Sequence, residues 1–145
     1  MGANHEQAMR RELKALLIQH EGKVPHAYQD HLGYWTIGVG RLIDERRGGG
    51  LSEAEIDYLL DNDIDHVLSQ LEQTIPDWYD LPDRVKLALA SMAFQMGVAG
   101  LFGFSRMLGH IEQKNWTEAA SEALRSKWAQ QTPSRAEYIA ELIRG

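Results

Sequence analysis

At 145 residues, 43% hydrophobic and 25% charged, the chain is large enough to bury a core in one compact domain, and it lacks the composition of a disordered segment. The absence of cysteine excludes a disulfide framework, a thiolate nucleophile and cysteine-ligated zinc. The net charge of −6 is uneven, with 7 Lys/Arg against 15 Asp/Glu in residues 1 to 80 and 8 against 6 thereafter, and such acidity argues against non-specific nucleic-acid binding, which needs a basic surface.

Met1 to Arg11 carries charges and has no apolar run of signal-peptide length. The longest apolar stretch, Leu87 to Phe94, is too short to cross a bilayer. The expectation is a soluble protein made in the cytoplasm, without stable membrane insertion. Residues 6 to 21 predict a helix, because Met9, Leu13, Leu16, Leu17 and His20 recur on one face, and Gly22 supplies the stop. Glu21 then stands at the helix C-terminus, where partial negative charge on the last carbonyls favours a protonated carboxyl.

From Pro25 to Val39 the pattern turns extended. Ala27-Tyr28-Gln29-Asp30, a turn at His31-Leu32-Gly33 and Tyr34-Trp35-Thr36-Ile37-Gly38-Val39 predict a hairpin. Gly38 and Gly40 permit a tight bend or a close backbone approach. Arg46-Arg47-Gly48-Gly49-Gly50 reads as a flexible loop and a lobe boundary.

Everything after Leu51 reads as helical. Ser52 and Glu55 form a capping box for a helix over 52 to 73, which carries an apolar stripe from Ile56 to Leu71 and ends before Pro76. Residues 83 to 96 are apolar nearly all round, predicting a buried central helix stopped by Gly97. Shorter helices are expected at about 104 to 113, at 116 to 127 behind an Asn115/Glu118 capping box, and at 133 to 143 behind a Thr132 cap with Pro133 in the first turn. Trp116 and Trp128 read as core residues.

Hydrolysis of a glycosidic bond needs a protonated acid for the leaving oxygen and a second, ionised group to activate water or attack the sugar. Glu21 suits the first role, and Asp30, at a polar hairpin turn, suits the second. Read singly, each has a plainer role, as a solvated helix end and a turn former; Thr36 is then a β-former, Gln95 a helix-end residue and Arg135 first-turn decoration. The six histidines show no His-Glu-x-x-His pattern, so a zinc amidase is not expected.

Taken together, His20-Glu21-Gly22, Tyr28-Gln29-Asp30 and Gly33-Tyr34-Trp35-Thr36-Ile37-Gly38-Val39-Gly40 resemble the core of phage lysozymes of the T-even type, glycoside hydrolase family 24. The spacing Glu21-x8-Asp30-x5-Thr36 resembles that family's catalytic triad. Phe94-Gln95-Met96-Gly97, and Ser126-Lys127-Trp128 followed by Gln131-Thr132-Pro133-Ser134-Arg135, also match, so the similarity spans about residues 9 to 137.

The resemblance implies a mainly α, α+β, lysozyme-like domain over 1 to 145. Its small β-hairpin lobe would cover about 22 to 51, its connecting helix 52 to 73, and its helical lobe 1 to 21 and 74 to 145, with a cleft between the lobes. It implies an endolysin muramidase that inverts configuration, with Glu21 as general acid, Asp30 and Thr36 holding the attacking water, and Gln95 and Arg135 binding substrate. No metal or organic cofactor is implied. The partner it implies is bacterial peptidoglycan, which would be cut by a monomer that leaves the host cytoplasm through a separate pore-forming protein. The alternatives are a lytic transglycosylase using the same Glu and a non-catalytic peptidoglycan-binding protein. Three features depart from the family pattern: Arg41 where a His is common after Gly-x-Gly, only nine residues from Leu42 to Gly50 before the Ser52 cap, and the acidic charge.

Overall fold

Gly22 ends the first helix. Its φ of +80° takes the left-handed conformation that follows a helix C-terminus, and its N–H closes onto the Ile18 carbonyl at 2.9 Å. Helix α1 runs Gly2–Glu21, starting four residues before the apolar spacing predicts. The computed structural model describes residues 2–44 and 49–145. The chain divides into two compact units, Met1–Asp57 and Tyr58–Gly145. Of the expected flexible loop, Arg46-Arg47-Gly48 lies outside the described residues.

In the first unit α1 is followed by an antiparallel sheet of three strands, β1 (Val24–Gln29), β2 (Trp35–Gly38) and β3 (Arg41–Leu42), in the order β1-β2-β3. The expected hairpin is present, with Tyr28 opposite Thr36, Gln29 opposite Trp35, and an irregularity between Val24 and Tyr28. The third strand was not expected. Two residues are too few to show a period-two pattern, and β3 is defined only by its pairing of Leu42 with Thr36 and Arg41 with Ile37. The apolar residues Met9, Leu13, Leu16 and Leu17 of α1 stay exposed. Thr36 is the one fully buried residue among those described in this unit, so order here rests on ladders, caps and turns more than on a hydrophobic core.

Helix α2 (Glu53–Thr74) opens on the expected capping box. The Ser52 N–H donates to Glu55 Oε1 at 2.8 Å and the Glu55 N–H donates to Ser52 Oγ at 3.2 Å.

The second unit holds the rest of α2, a one-turn 3₁₀ helix at Trp78–Asp80, and α3 (Asp83–Phe102), α4 (Ser105–Glu112), α5 (Trp116–Leu124), α6 (Lys127–Gln131) and α7 (Pro133–Arg144). Leu71, Leu89, Met92, Leu101, Met107, Ile139 and Ile143 are the largest side chains sealed in its core. By length and hydropathy α3 could cross a membrane, unlike the eight-residue stretch read from the sequence. Val85, Ala88, Leu89, Met92, Ala93 and Leu101 nevertheless lie in the core.

The mainly α, α+β class holds, with local corrections. Gly97, at φ 80° and ψ 157°, breaks the helical path for one residue, after which helix resumes to Phe102. Leu87 and Phe94 on α3 are exposed and line an apolar depression of about 590 Å³ with Leu60, Ile64, Leu68 and Trp78, so the helix is not buried all round. The predicted helix over 116 to 127 ends at Leu124, because Ser126 begins α6 by accepting the Ala129 N–H at 3.2 Å. Asn115 and Thr132 stand at the expected caps without side-chain capping bonds. The Thr132 hydroxyl instead donates back to the Trp128 carbonyl at 3.0 Å, and the Asn115 amide turns toward Gln113.

Candidate active site

Glu21 is the last residue of α1, held at that place by the left-handed turn at Gly22. Its side chain lies against Gly40, which joins β2 to β3 with φ +67°. A Cβ added at Gly40 would lie 2.8 Å from Glu21 Oε2, 3.1 Å from Cδ and 3.2 Å from Cβ. Glycine is therefore required twice over, by its backbone angle and by the closeness of the carboxylate. The close approach expected at this glycine is real, and its object is the candidate acid. The Glu21 carboxylate makes no hydrogen bond or ion pair with the described residues.

Asp30 is built in the opposite way. It follows β1 and closes the hairpin turn, with its Oδ1 accepting the N–H of Leu32 at 2.9 Å and of Tyr34 at 2.8 Å. Backbone bonds from Asp30 N–H to the Tyr34 carbonyl (2.8 Å) and from Gly33 N–H to the Asp30 carbonyl (2.9 Å) complete the turn. Two N–H donors on one carboxylate oxygen fix its orientation and stabilise its negative charge. Thr36, on the central strand, is buried at 2% exposure, and its hydroxyl donates to the Tyr34 carbonyl at 3.0 Å. With its proton committed, the oxygen offers only lone pairs, the form needed to accept a bond from water. Read from the sequence Thr36 is simply a β-former, whereas on the central strand its side chain is shut away from solvent.

Arg41 opens β3, directly after Gly40. Its guanidinium forks onto Glu55, Nη1 to Oε2 and Nη2 to Oε1 at 2.7 Å, while Nη2 also donates to the Gly50 carbonyl at 2.8 Å. The Arg41 side-chain bond, followed by the bonds from Ser52, pulls the Glu55 carboxyl down from 4.5 to about 2. Sequence reasoning found Arg41 and Glu55 separately, one as a departure and one as a cap. Fourteen residues separate them, and no local pattern joins them.

Gln95 and Arg135 belong to the second unit. Gln95 is exposed on α3, and its Oε1 accepts the Trp128 Nε1–H at 2.9 Å, leaving the amide NH₂ as the group it can offer outward. Trp128 packs edge-on to Phe104, with ring centroids 5.9 Å apart, as its expected core role requires. Trp116 is half-buried under the Arg84 guanidinium. Arg135 is exposed in the first turn of α7 and donates from Nη2 to the carbonyl and hydroxyl of Ser91, both at 3.2 Å. No cluster of three His, Asp or Glu with metal-binding geometry occurs among the described residues.

Comparison with known proteins places these features in a wider setting. The phage lysozyme family model matches residues 18–141. Probable T4-type lysozyme 1 of Dictyostelium discoideum is 30% identical over 157 aligned positions, covering 90% of this chain and 92% of that protein. Probable T4-type lysozyme 2 of the same organism is 31% identical, covering 88% and 90% respectively. Peptidoglycan hydrolase gp36 of Pseudomonas phage phiKMV is 29% identical over 124 positions, covering 83% of this chain and 14% of that much longer protein.

Proposed function

The chain belongs to the phage lysozyme family, and from that premise we propose that it is a muramidase that hydrolyses the β-1,4 bond between N-acetylmuramic acid and N-acetylglucosamine in bacterial peptidoglycan. The observation that carries this reading is the contrast between two carboxylates of one compact unit. Glu21 makes no hydrogen bond or ion pair with the described residues, so its carboxyl can be presented to a leaving oxygen, whereas Asp30 is anchored by two N–H groups as the ionised group that receives the water's proton.

In the proposed step the Glu21 carboxyl gives its proton to the bridging oxygen as the bond from that oxygen to the anomeric carbon breaks. A water, accepted by Asp30 and oriented by the Thr36 oxygen, attacks the anomeric carbon from the opposite face and passes its proton to Asp30. Configuration inverts, and exchange with solvent returns both carboxyls to their starting states. Gln95, through its NH₂ group, and Arg135 bind the glycan or its peptide. We read the whole chain as one lysozyme-like domain to which both units contribute. It acts as a monomer in host cell lysis, reaching the wall from the cytoplasm through a separate pore-forming protein.

Digestion of purified peptidoglycan with product analysis tests the reaction. Reducing N-acetylmuramic acid ends, appearing first as the α-anomer, are expected. The β-anomer first would overturn inversion, anhydromuramic ends would identify a transglycosylase, and binding without products would identify a wall-binding protein.

A further inference from the structure

The candidate acid is oriented by contact rather than by hydrogen bonds, so whatever fixes the surface it leans on also fixes the acid. That surface is the backbone of Gly40, whose missing Cβ would fall within 3.2 Å of three Glu21 atoms. Gly40 leads directly into β3, and β3 has only two residues, Arg41 and Leu42, in register with β2. So short a ladder, on an edge of the sheet, is a weak anchor by itself.

Arg41 supplies the missing anchor. Its guanidinium makes a two-point fork onto Glu55 and a third bond to the Gly50 carbonyl. Glu55 is in turn fixed by the capping box, since its Oε1 also accepts the Ser52 N–H at 2.8 Å. The chain of contacts is continuous within the first unit: first turn of α2, Glu55, Arg41, Gly40, Glu21. The planar fork is what makes the tie directional, because a guanidinium and a carboxylate meet in one preferred plane. The Arg41 charge is spent on Glu55 and Gly50, so its influence on Glu21 runs through position.

We propose that Arg41, clamped by Glu55, is a positioning residue for Glu21, holding the Gly40 backbone against which the acid rests. The proposal deepens the muramidase reading and rests on it for its kinetic arm. Neither residue touches substrate in this scheme.

The test compares the parent with Arg41→Met, Glu55→Gln and the double variant, by kcat and KM on purified peptidoglycan and by the ¹³Cδ signal of Glu21 in selectively labelled protein. Glu55→Gln keeps an oxygen for the Ser52 cap, so it remains informative if Arg41→Met folds poorly. The expected result is a fall in kcat of about tenfold to 100-fold for either single variant, with KM unchanged and the double variant no worse than the poorer single one. The Glu21 signal moves in both, and stays at its parent value in the remote control Glu118→Gln. Unchanged kcat in Arg41→Met, additive losses in the double variant, or an unmoved Glu21 signal would overturn the clamp. A parent no faster than Glu21→Gln would overturn the muramidase reading instead, and the Glu21 signal would still decide the clamp.

Discussion

A single methyl group at residue 40 is expected to separate folding from catalysis. In Gly40→Ala the new Cβ would start 2.8 Å from Glu21 Oε2, 3.1 Å from its Cδ and 3.2 Å from its Cβ. Against ordinary carbon contacts of about 3.5–4.0 Å, the Glu21 side chain must retreat by roughly 0.4–0.9 Å. The carboxylate end can swing away cheaply, but the Cβ is carried by the helix and cannot. The left-handed backbone, at φ +67°, adds roughly 1–2 kcal/mol for an L-residue. For a chain of this size that predicts a fall in the unfolding midpoint of about 2–8 °C. A displacement approaching 1 Å of a reacting group predicts a loss of kcat of about 100-fold. Gly38→Ala is the matched control, because Gly38 has the same kind of backbone, at φ +70°, with no atom within 4 Å of the added Cβ. Thermal unfolding by circular dichroism should show a loss in both variants, the larger in Gly40→Ala, where the Glu21 Cβ must also give way, while reducing-end release should collapse only in Gly40→Ala. Equal kcat in the two variants would refute the claim that Gly40 seats the acid.

Three further outcomes follow from the same contacts. Lys114 holds a left-handed backbone, at φ +62°, without being glycine, so Lys114→Gly should stabilise the protein by about 1 kcal/mol, read as a raised unfolding midpoint. Glu55 is held at about 2, below its ordinary 4.5, so its pairing with Arg41 stabilises the folded state fully above pH 4.5 and fades as the pH falls through about 2; the stability gap between parent and Glu55→Gln should close over that window and stay constant above it. Gln95→Ala removes the acceptor for the Trp128 indole N–H, and chemical denaturation should report a cost of about 1 kcal/mol that Gln95→Glu, which keeps an acceptor, largely avoids.

What could be read from the sequence was local. The Ser52/Glu55 capping box is a three-residue pattern whose partners can scarcely avoid one another, and it formed as read. The hairpin around Asp30 followed from a glycine turn between aromatic and β-branched runs, and Glu21 followed from a helix stopped by Gly22. Local patterns misled where a side chain had a choice of partners. Thr132 caps nothing and its hydroxyl donates back to the Trp128 carbonyl instead, and Ser126 starts a new helix where apolar spacing continued the old one. Gly97 reads as a terminus because one residue leaves the helix, and nothing in the spacing told that it resumes.

The features that order the candidate site were the least legible. The support of Glu21 by Gly40 joins residues nineteen apart, the Arg41 fork onto Glu55 joins residues fourteen apart, and β3 exists only as a partner of β2. Each depends on a chain path that periodicity and propensity do not encode. The glycine at residue 40 hinted at a close approach, and only the fold supplied what approaches it.

The identity of the acid is tested most directly by reducing-end release from purified peptidoglycan, parent against Glu21→Gln at equal concentration. The substitution preserves shape and removes the transferable proton. The rate is expected to fall by about 10²–10⁴-fold, the usual worth of a general acid, with the unfolding midpoint unchanged. A Glu21→Gln protein that releases reducing ends as fast as the parent would contradict the assignment.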